Sequence, residues 1–352
     1  WVRRHEPENF KRTDTVLLPK DYLRFKMTGK KISDMSDSAG TLWLDVAKRD
    51  WSDALLEKCG LSRSHMPVLV EGCEVSATLD PQIAKRWGLN ASVVVAGGGG
   101  DNAVSAIGVG AVSPGDAFIS LGTSGVLFVV TDAYRPAPQS AVHAFCHVLP
   151  NLWHQMSVML SAASCLQWFC RLVGVTEVAL LEEIAQLSAE EKASAPMFLP
   201  YLSGERTPHN DPDARGMFHG LTHSSQRALM GYAVLEGVSF GIADGLRVLQ
   251  ESGTRIEQCS LVGGGARSPF WAQLLADILN MPVVTHKGGE TGGALGAARL
   301  ACLAAGKTLS TVCNKPEVHQ IWTADAERHE TIMRRYIQFK ALYENDLKYR
   351  KH

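Results

Sequence analysis

Hydrophobic and polar positions follow two different textures along this chain. Through residue 108 the apolar positions come in short, irregularly spaced groups, which predicts mainly helix and loop, with a short helix over 21–27 and a strand over 93–96. From 117 onward β-rich runs appear at 117–120 and 126–130, joined by Leu121-Gly122-Thr123-Ser124-Gly125, which reads as a hairpin. Strand-like segments follow at 142–146 and 153–158, then helices over 162–172 and 178–189. One long helix is predicted over 227–251, where Leu229, Val234, Leu235, Val238, Ile242, Leu246 and Leu249 fall near helical spacing. The remainder alternates strand and helix at 260–262, 269–279, 283–285 and 293–304. Such alternation predicts an α/β domain whose ligand site lies at the carboxyl ends of its strands. A charged helix over 325–351 closes the chain and reads as a solvated surface helix.

Glycine-rich turns fall at those strand ends. The strand at 93–96 runs into Gly97-Gly98-Gly99-Gly100 and then Asp101 and Asn102, so a carboxylate is delivered straight off a flexible turn. Asp101 can simply cap a helix starting at Asn102, or it can serve as a base. Gly122 and Gly125 expose backbone N–H groups while Thr123 and Ser124 add hydroxyls, a combination that can hold a phosphate oxygen or merely turn a hairpin. Gly263-Gly264-Gly265-Ala266 precedes Ser268, a helix N-cap, and Pro269, which suits the first helical position. That turn is either an ordinary connection or bare backbone for a flat ligand beside a helix N-terminus. The small residues from Gly292 to Ala298 lie on one helix and are read as close helix packing. Gly306-Lys307-Thr308 lacks the earlier glycine of a P-loop, and Gly108-Val109-Gly110 lacks the third glycine of a dinucleotide fingerprint.

Charge narrows the ligand class. With 35 basic and 36 acidic side chains in 352 residues the net charge is −1, which gives no electrostatic case for nucleic acid or an anionic membrane. The nearly apolar stretch 158–170 is interrupted by Ser161, Ser164 and Gln167 and is too short to span a bilayer. The expectation is a soluble cytoplasmic protein with a small neutral or anionic ligand. The eight cysteines, at 59, 73, 146, 165, 170, 259, 302 and 313, show no zinc spacing and read as buried thiols. The twelve histidines fit no ligand spacing and read as satisfied core or surface residues.

Six blocks in order, "GGGGDN", "SLGTSG", "FLPYLSGERTPHNDP", "GMFHGLT", "LVGGGARSPFW" and "GGALGAARLA", resemble the FGGY family of carbohydrate kinases over nearly the whole chain. The resemblance implies an α/β, actin/hexokinase/Hsp70-like fold of ribonuclease-H type, with ATP in a cleft between two domains. Residues 1–110 would be the later part of a first domain, incomplete here, and 111–352 the second. Asp101 matches the family's catalytic base, and Asn102 would lie near the sugar. Gly122, Thr123, Ser124 and Gly125 match a phosphate loop, Thr222 a phosphate contact, and Gly264, Gly265 and Ala266 the adenosine site. The resemblance implies ATP with Mg²⁺, a small sugar substrate and a homodimer. The stretches "LLPKDYLRFKMTG" and "SDMSDSAGTLWLDVAKRDWS" fit the branch that phosphorylates D-xylulose better than the glycerol, gluconate or rhamnulose branches. The chain opens on Trp1, matching the end of the family's first signature, so the Asp-x-Gly-Thr loop and Met-His pair of that family are expected to precede it.

Overall fold

The computed structural model describes residues 1–288 and 292–351. Its centre is a seven-stranded mixed sheet, in spatial order Val318–Trp322, Val283–His286, Cys259–Val262, Ala117–Leu121, Gly125–Thr131, Trp153–Met159 and His143–Cys146. The strands at 259, 283 and 117 run parallel to one another, and the remaining pairs are antiparallel. Side-chain alternation divides the central strands between two cores. Ile119, Leu127 and Val129 face a core that includes the Arg227–Glu251 helix, while Phe118, Phe128 and Val130 face one that includes Ala106 and Val109 of the Asp101–Val109 helix. Covering on both faces explains why Ala117–Leu121 is an almost unbroken apolar run.

Arg227–Glu251 is long and apolar enough to cross a membrane, but it is a core helix, with 94% of its apolar window buried. Its glycines permit close approach: a Cβ on Gly237 would lie 2.2 Å from the Phe198 carbonyl oxygen, and one on Gly245 2.2 Å from Ser157 Oγ. Two carboxylates are buried on this helix, and both are answered from the Ala326–Arg350 helix. Arg335 grips Glu236 through Nε at 2.8 Å and Nη2 at 2.6 Å, and the Tyr336 hydroxyl donates to Asp244 at 2.6 Å. Ala326–Arg350 is therefore not the solvated helix expected. It buries Ile332, Tyr336, Phe339 and Tyr343, an i, i+4, i+7, i+11 stripe.

Residues 1–100 form short helices and three two-stranded pairs around a small core of Leu44, Trp51, Leu56, Leu61 and Met66. Other departures from the sequence reading have local causes. The helix expected over 178–189 breaks into Glu177–Ala185 and Ala189–Ala193, because Ser188 and Glu191 exchange side chain-to-backbone bonds as a capping box. Five cysteines are buried, but Cys59 and Cys302 are exposed and Cys73 is half-buried. The histidine reading fails at two positions. His147 and His154 are buried, and among the described residues Nε2 of the first and Nδ1 of the second meet the geometry of a hydrogen bond with no partner. Burial pushes His147 down to about 3 and His154 well below its usual range, so both stay neutral beside Phe128.

These rings give the fold an acid limit. Between pH 6.5 and about 3 the unfolded chain binds a proton at His147 that the folded chain refuses, so stability falls as pH falls through that window. At pH 5 the effect is about 2 kcal/mol. Glu205 acts oppositely, since burial pushes it up to about 7 and the folded state holds its proton more tightly. His147→Asn keeps an acceptor for the Leu149 N–H that His147 Nδ1 now receives at 3.2 Å. Urea unfolding of this variant should lose about 2 kcal/mol less than the parent between pH 7.5 and 5; parallel curves would contradict the assignment.

Candidate active site

Of the four glycines before Asp101, two are required by packing and one by its backbone angle. A Cβ on Gly97 would lie 2.2 Å from the Glu71 carbonyl oxygen, and one on Gly99 2.3 Å from Val148 Cγ1. Gly98 has φ +73°, the left-handed region that favours glycine. The run docks on the Glu71–Glu74 segment through Gly97 N–H to Glu74 O at 2.9 Å and Gly98 N–H to Gly72 O at 3.0 Å.

Asp101 is not the helix cap the sequence allowed. The helix spans Asp101–Val109 with Gly100 at the N-cap, and its first residue is Asp101 itself. The exposed carboxylate accepts from the Asn102 backbone N–H at 2.7 Å and from Asn102 Nδ2 at 3.1 Å. A negative charge in the first turn is favoured by the helix dipole. Asn102 is thus placed to orient the carboxylate, and both side chains stand at the same helix end.

The rest of this helix is fastened to the second part of the chain. A Cβ on Gly108 would lie 1.9 Å from the Gly292 carbonyl oxygen, and one on Gly296 1.9 Å from that of Val104. The packing reading of the small-residue run holds at Gly296 and at the Gly292 backbone, whereas Gly293, Ala294, Ala297 and Ala298 are exposed. Arg299 donates to the carbonyls of Ile107 at 2.8 Å and Gly108 at 3.0 Å, satisfying the helix C-terminus.

The other two turns stand side by side. Parallel pairing of Val262 with Ser120 brings Gly122–Gly125 and Gly263–Ala266 to adjacent strand ends. Gly263, at φ +88°, and Gly265 pack on Leu121; a Cβ on Gly265 would lie 2.4 Å from Leu121 Cδ2. Gly264 faces open space, and Ala266 closes the turn through its N–H to Gly263 O at 3.1 Å. A recess of about 230 Å³ opens beside Gly263, Ala266 and Arg267. In the hairpin the Gly122 and Thr123 carbonyls accept from the Ala163 and Ala162 N–H groups, both at 2.9 Å, at the start of the Ala163–Val173 helix. Thr123 and Ser124 are left exposed. Ser268 caps Pro269–Leu279 by accepting from Trp271 N–H at 3.2 Å, as read from the sequence. Thr222 is in an exposed loop, its hydroxyl 2.8 Å from Ser224 Oγ, and no hydrogen bond among the described residues joins it to either turn.

Sequence reasoning missed the group that holds the Asp101 turn from outside: Lys20, Asp21, Arg24, Asp34 and Ser36. Asp34 carries a legible signal as an Asp before a short helix, and it does accept from Ser36 and Asp37 N–H. Nothing in the sequence links Ser36 to Gly100.

A mixed sheet flanked by helices, with a carboxylate at one helix end and paired glycine turns at adjacent strand ends, fits the two-domain actin/hexokinase-like fold, and likeness to known proteins makes the chain a sugar kinase of that class. Residues 1–108 match the N-terminal domain and 117–305 the C-terminal domain of the FGGY family of carbohydrate kinases. The chain belongs to that family. It is 53% identical over 346 residues to the xylulose kinase of Escherichia coli (strain K12), covering 98% of this chain and 71% of that protein. It is also 53% identical over 304 residues to the xylulose kinase of Klebsiella pneumoniae, covering 86% of this chain and 62% of the relative. The structure of a xyloylose kinase from Brucella ovis superposes with a TM-score of 0.94 at 50% identity, covering 98% of this chain and 71% of that one.

The two neighbouring glycines of the second turn should respond differently to substitution. Gly265→Ala drives a methyl into Leu121 and should destabilise by about 1–3 kcal/mol in urea unfolding. Gly264→Ala meets open space and should stay within about 0.5 kcal/mol of the parent; equal losses would refute the packing argument.

Proposed function

We propose that this protein phosphorylates D-xylulose to D-xylulose 5-phosphate with ATP as donor, in pentose breakdown. Support comes from the xylulose kinase relatives and, within the site, from one observation above the others. Asp101 puts an exposed carboxylate at the end of a helix whose body packs on the sheet that carries the paired glycine turns. In this reading Asp101 takes the proton from the sugar's terminal hydroxyl as that oxygen attacks the γ-phosphate. Asn102 holds the Asp101 carboxylate toward the sugar. Gly122, Thr123, Ser124 and Gly125 form the phosphate loop, in which the exposed Thr123 and Ser124 supply hydroxyl and N–H groups while the Gly122 N–H closes the turn on Ser124 O at 3.1 Å, with Thr222 as a further phosphate contact. Gly264, Gly265 and Ala266 lie against the adenosine, where the open face of Gly264 leaves room for a flat ring.

Mg²⁺ is part of this proposal only as a companion of the nucleotide. Among the described residues no group of three His, Cys, Asp or Glu side chains gathers so as to hold a metal ion. The proposed division of the chain falls near residue 110, with 1–110 contributing the base and 111–352 the nucleotide turns.

Sugar-dependent ADP formation from MgATP is the test, with D-xylulose, L-ribulose, glycerol and gluconate compared in parallel. Turnover should be selective for D-xylulose. Asp101→Asn should lower kcat by about 10²–10⁴-fold while leaving the nucleotide Kd within about threefold; retained turnover would sink the base. Gly264→Ala should weaken nucleotide binding about tenfold. Preference for another sugar would reassign the substrate, and nucleotide binding without any sugar-dependent turnover would make this chain a nucleotide-binding module.

A further inference from the structure

Four glycines precede Asp101, so the start of its helix is set from one side by the helix packing and from the other by whatever grips that turn from outside. Both ends are gripped by residues in and just after the Pro19–Thr28 helix. At the leading end Arg24 Nη2 donates to the Gly97 carbonyl, while Nη1 donates to Ile32 O at 2.9 Å and lies 3.1 Å from Asp21 Oδ1. At the trailing end the Gly100 N–H donates to Ser36 Oγ at 3.0 Å. That hydroxyl donates to Asp34 Oδ2 at 2.5 Å, and the same oxygen accepts from Ser36 N–H at 2.8 Å and Asp37 N–H at 3.1 Å. Lys20 Nζ then joins the two ends, 2.6 Å from Asp21 Oδ1 and 2.7 Å from Asp34 Oδ1. Asp21 and Asp34 are 0% exposed, and among the described residues Lys20 is the one cation on Asp34.

We propose that Lys20 and Ser36 are positioning residues for Asp101, fixing the Gly100–Asp101 peptide through the line Lys20, Asp34, Ser36, Gly100. This rests on Asp101 being the base. Nothing in the line reaches the nucleotide turns, which stand on other strands. Its loss should therefore be felt in turnover and not in nucleotide affinity, since a small misplacement of a catalytic group costs up to about a hundredfold in rate. Asp34 and Ser36 are buried, while Lys20, 29% exposed, is shared among Asp21, Asp34 and, at 3.5 Å, Asp37, so that removing it leaves a buried carboxylate without its cation, which is strongly disfavoured.

The experiment compares Ser36→Ala, Lys20→Gln, Lys20→Arg and Asp101→Asn in sugar-dependent ADP formation, together with amide hydrogen exchange of the parent and Ser36→Ala. Ser36→Ala and Lys20→Gln should lower kcat about 10- to 100-fold with KM for ATP within twofold, and Lys20→Arg should return kcat to within about threefold of the parent. Exchange at the Gly100 amide should quicken at least about tenfold in Ser36→Ala, with the amides of Ala117–Leu121 unchanged. This last readout needs no turnover. Unchanged kcat in Ser36→Ala beside an inactive Asp101→Asn would overturn the positioning role while leaving the base intact. Unchanged Gly100 exchange would overturn it as well, and so would a general rise in exchange with KM for ATP rising in step, which would mean a merely structural role. Turnover retained by Asp101→Asn would instead remove the base, and the positioning role with it.

Discussion

The close backbone crossing of the Asp101–Val109 and Gly292–Ala304 helices is the contact on which the site depends. At Gly108 and Gly296 no Cβ can be placed without striking the other helix's carbonyl, so the two axes are as near as backbone permits. That nearness lets a helix from the first part of the chain bury Ala106 and Val109 against the sheet of the second. The Asp101 carboxylate and a pair of glycine turns from other strands are thereby held on one scaffold.

Buried charge is used sparingly and in pairs. Glu236 and Asp244 sit on the most buried helix of the molecule, where burial pushes both carboxyls up, yet each meets a donor from Ala326–Arg350. A buried ion pair is weak evidence for stability, but it specifies which helix face docks. Arg49 has a similar role between the two parts. It pairs with Glu71 at 2.5 Å and donates to the carbonyl of Leu152 at 2.8 Å, tying the segment behind the Asp101 turn to the edge of the sheet.

What the sequence disclosed follows from which forces are local. Arg227–Glu251 and Pro269–Leu279 were legible to the residue, the first from an unbroken apolar period and the second because Ser268 and Pro269 start a helix by their own chemistry. The hairpin and the parallel strands were visible as β-rich runs between glycine turns. The edge strand Val318–Trp322 was not, since it is largely exposed and carries no clear alternation. The stripe on Ala326–Arg350 was present but outweighed by its charge. At the site, Asp101 and the glycine turns could be found because glycine and carboxylate chemistry is written in single positions. Ser36 could not, because its partner Gly100 lies 64 residues away and is met only through folding.

The Asp101 turn is pinned from two directions. Ser36 and Arg24 hold it to the first part of the chain, while the helix that continues from it is locked by Gly108 and Arg299 to the second. The run Gly97–Gly100 is held to the first part along its length, by Glu74 and Arg24 at Gly97, by Gly72 at Gly98 and by Ser36 at Gly100. The step from Gly100 to Asp101 is thus where the two parts of the chain meet, and the Asp101 carboxylate stands on that seam.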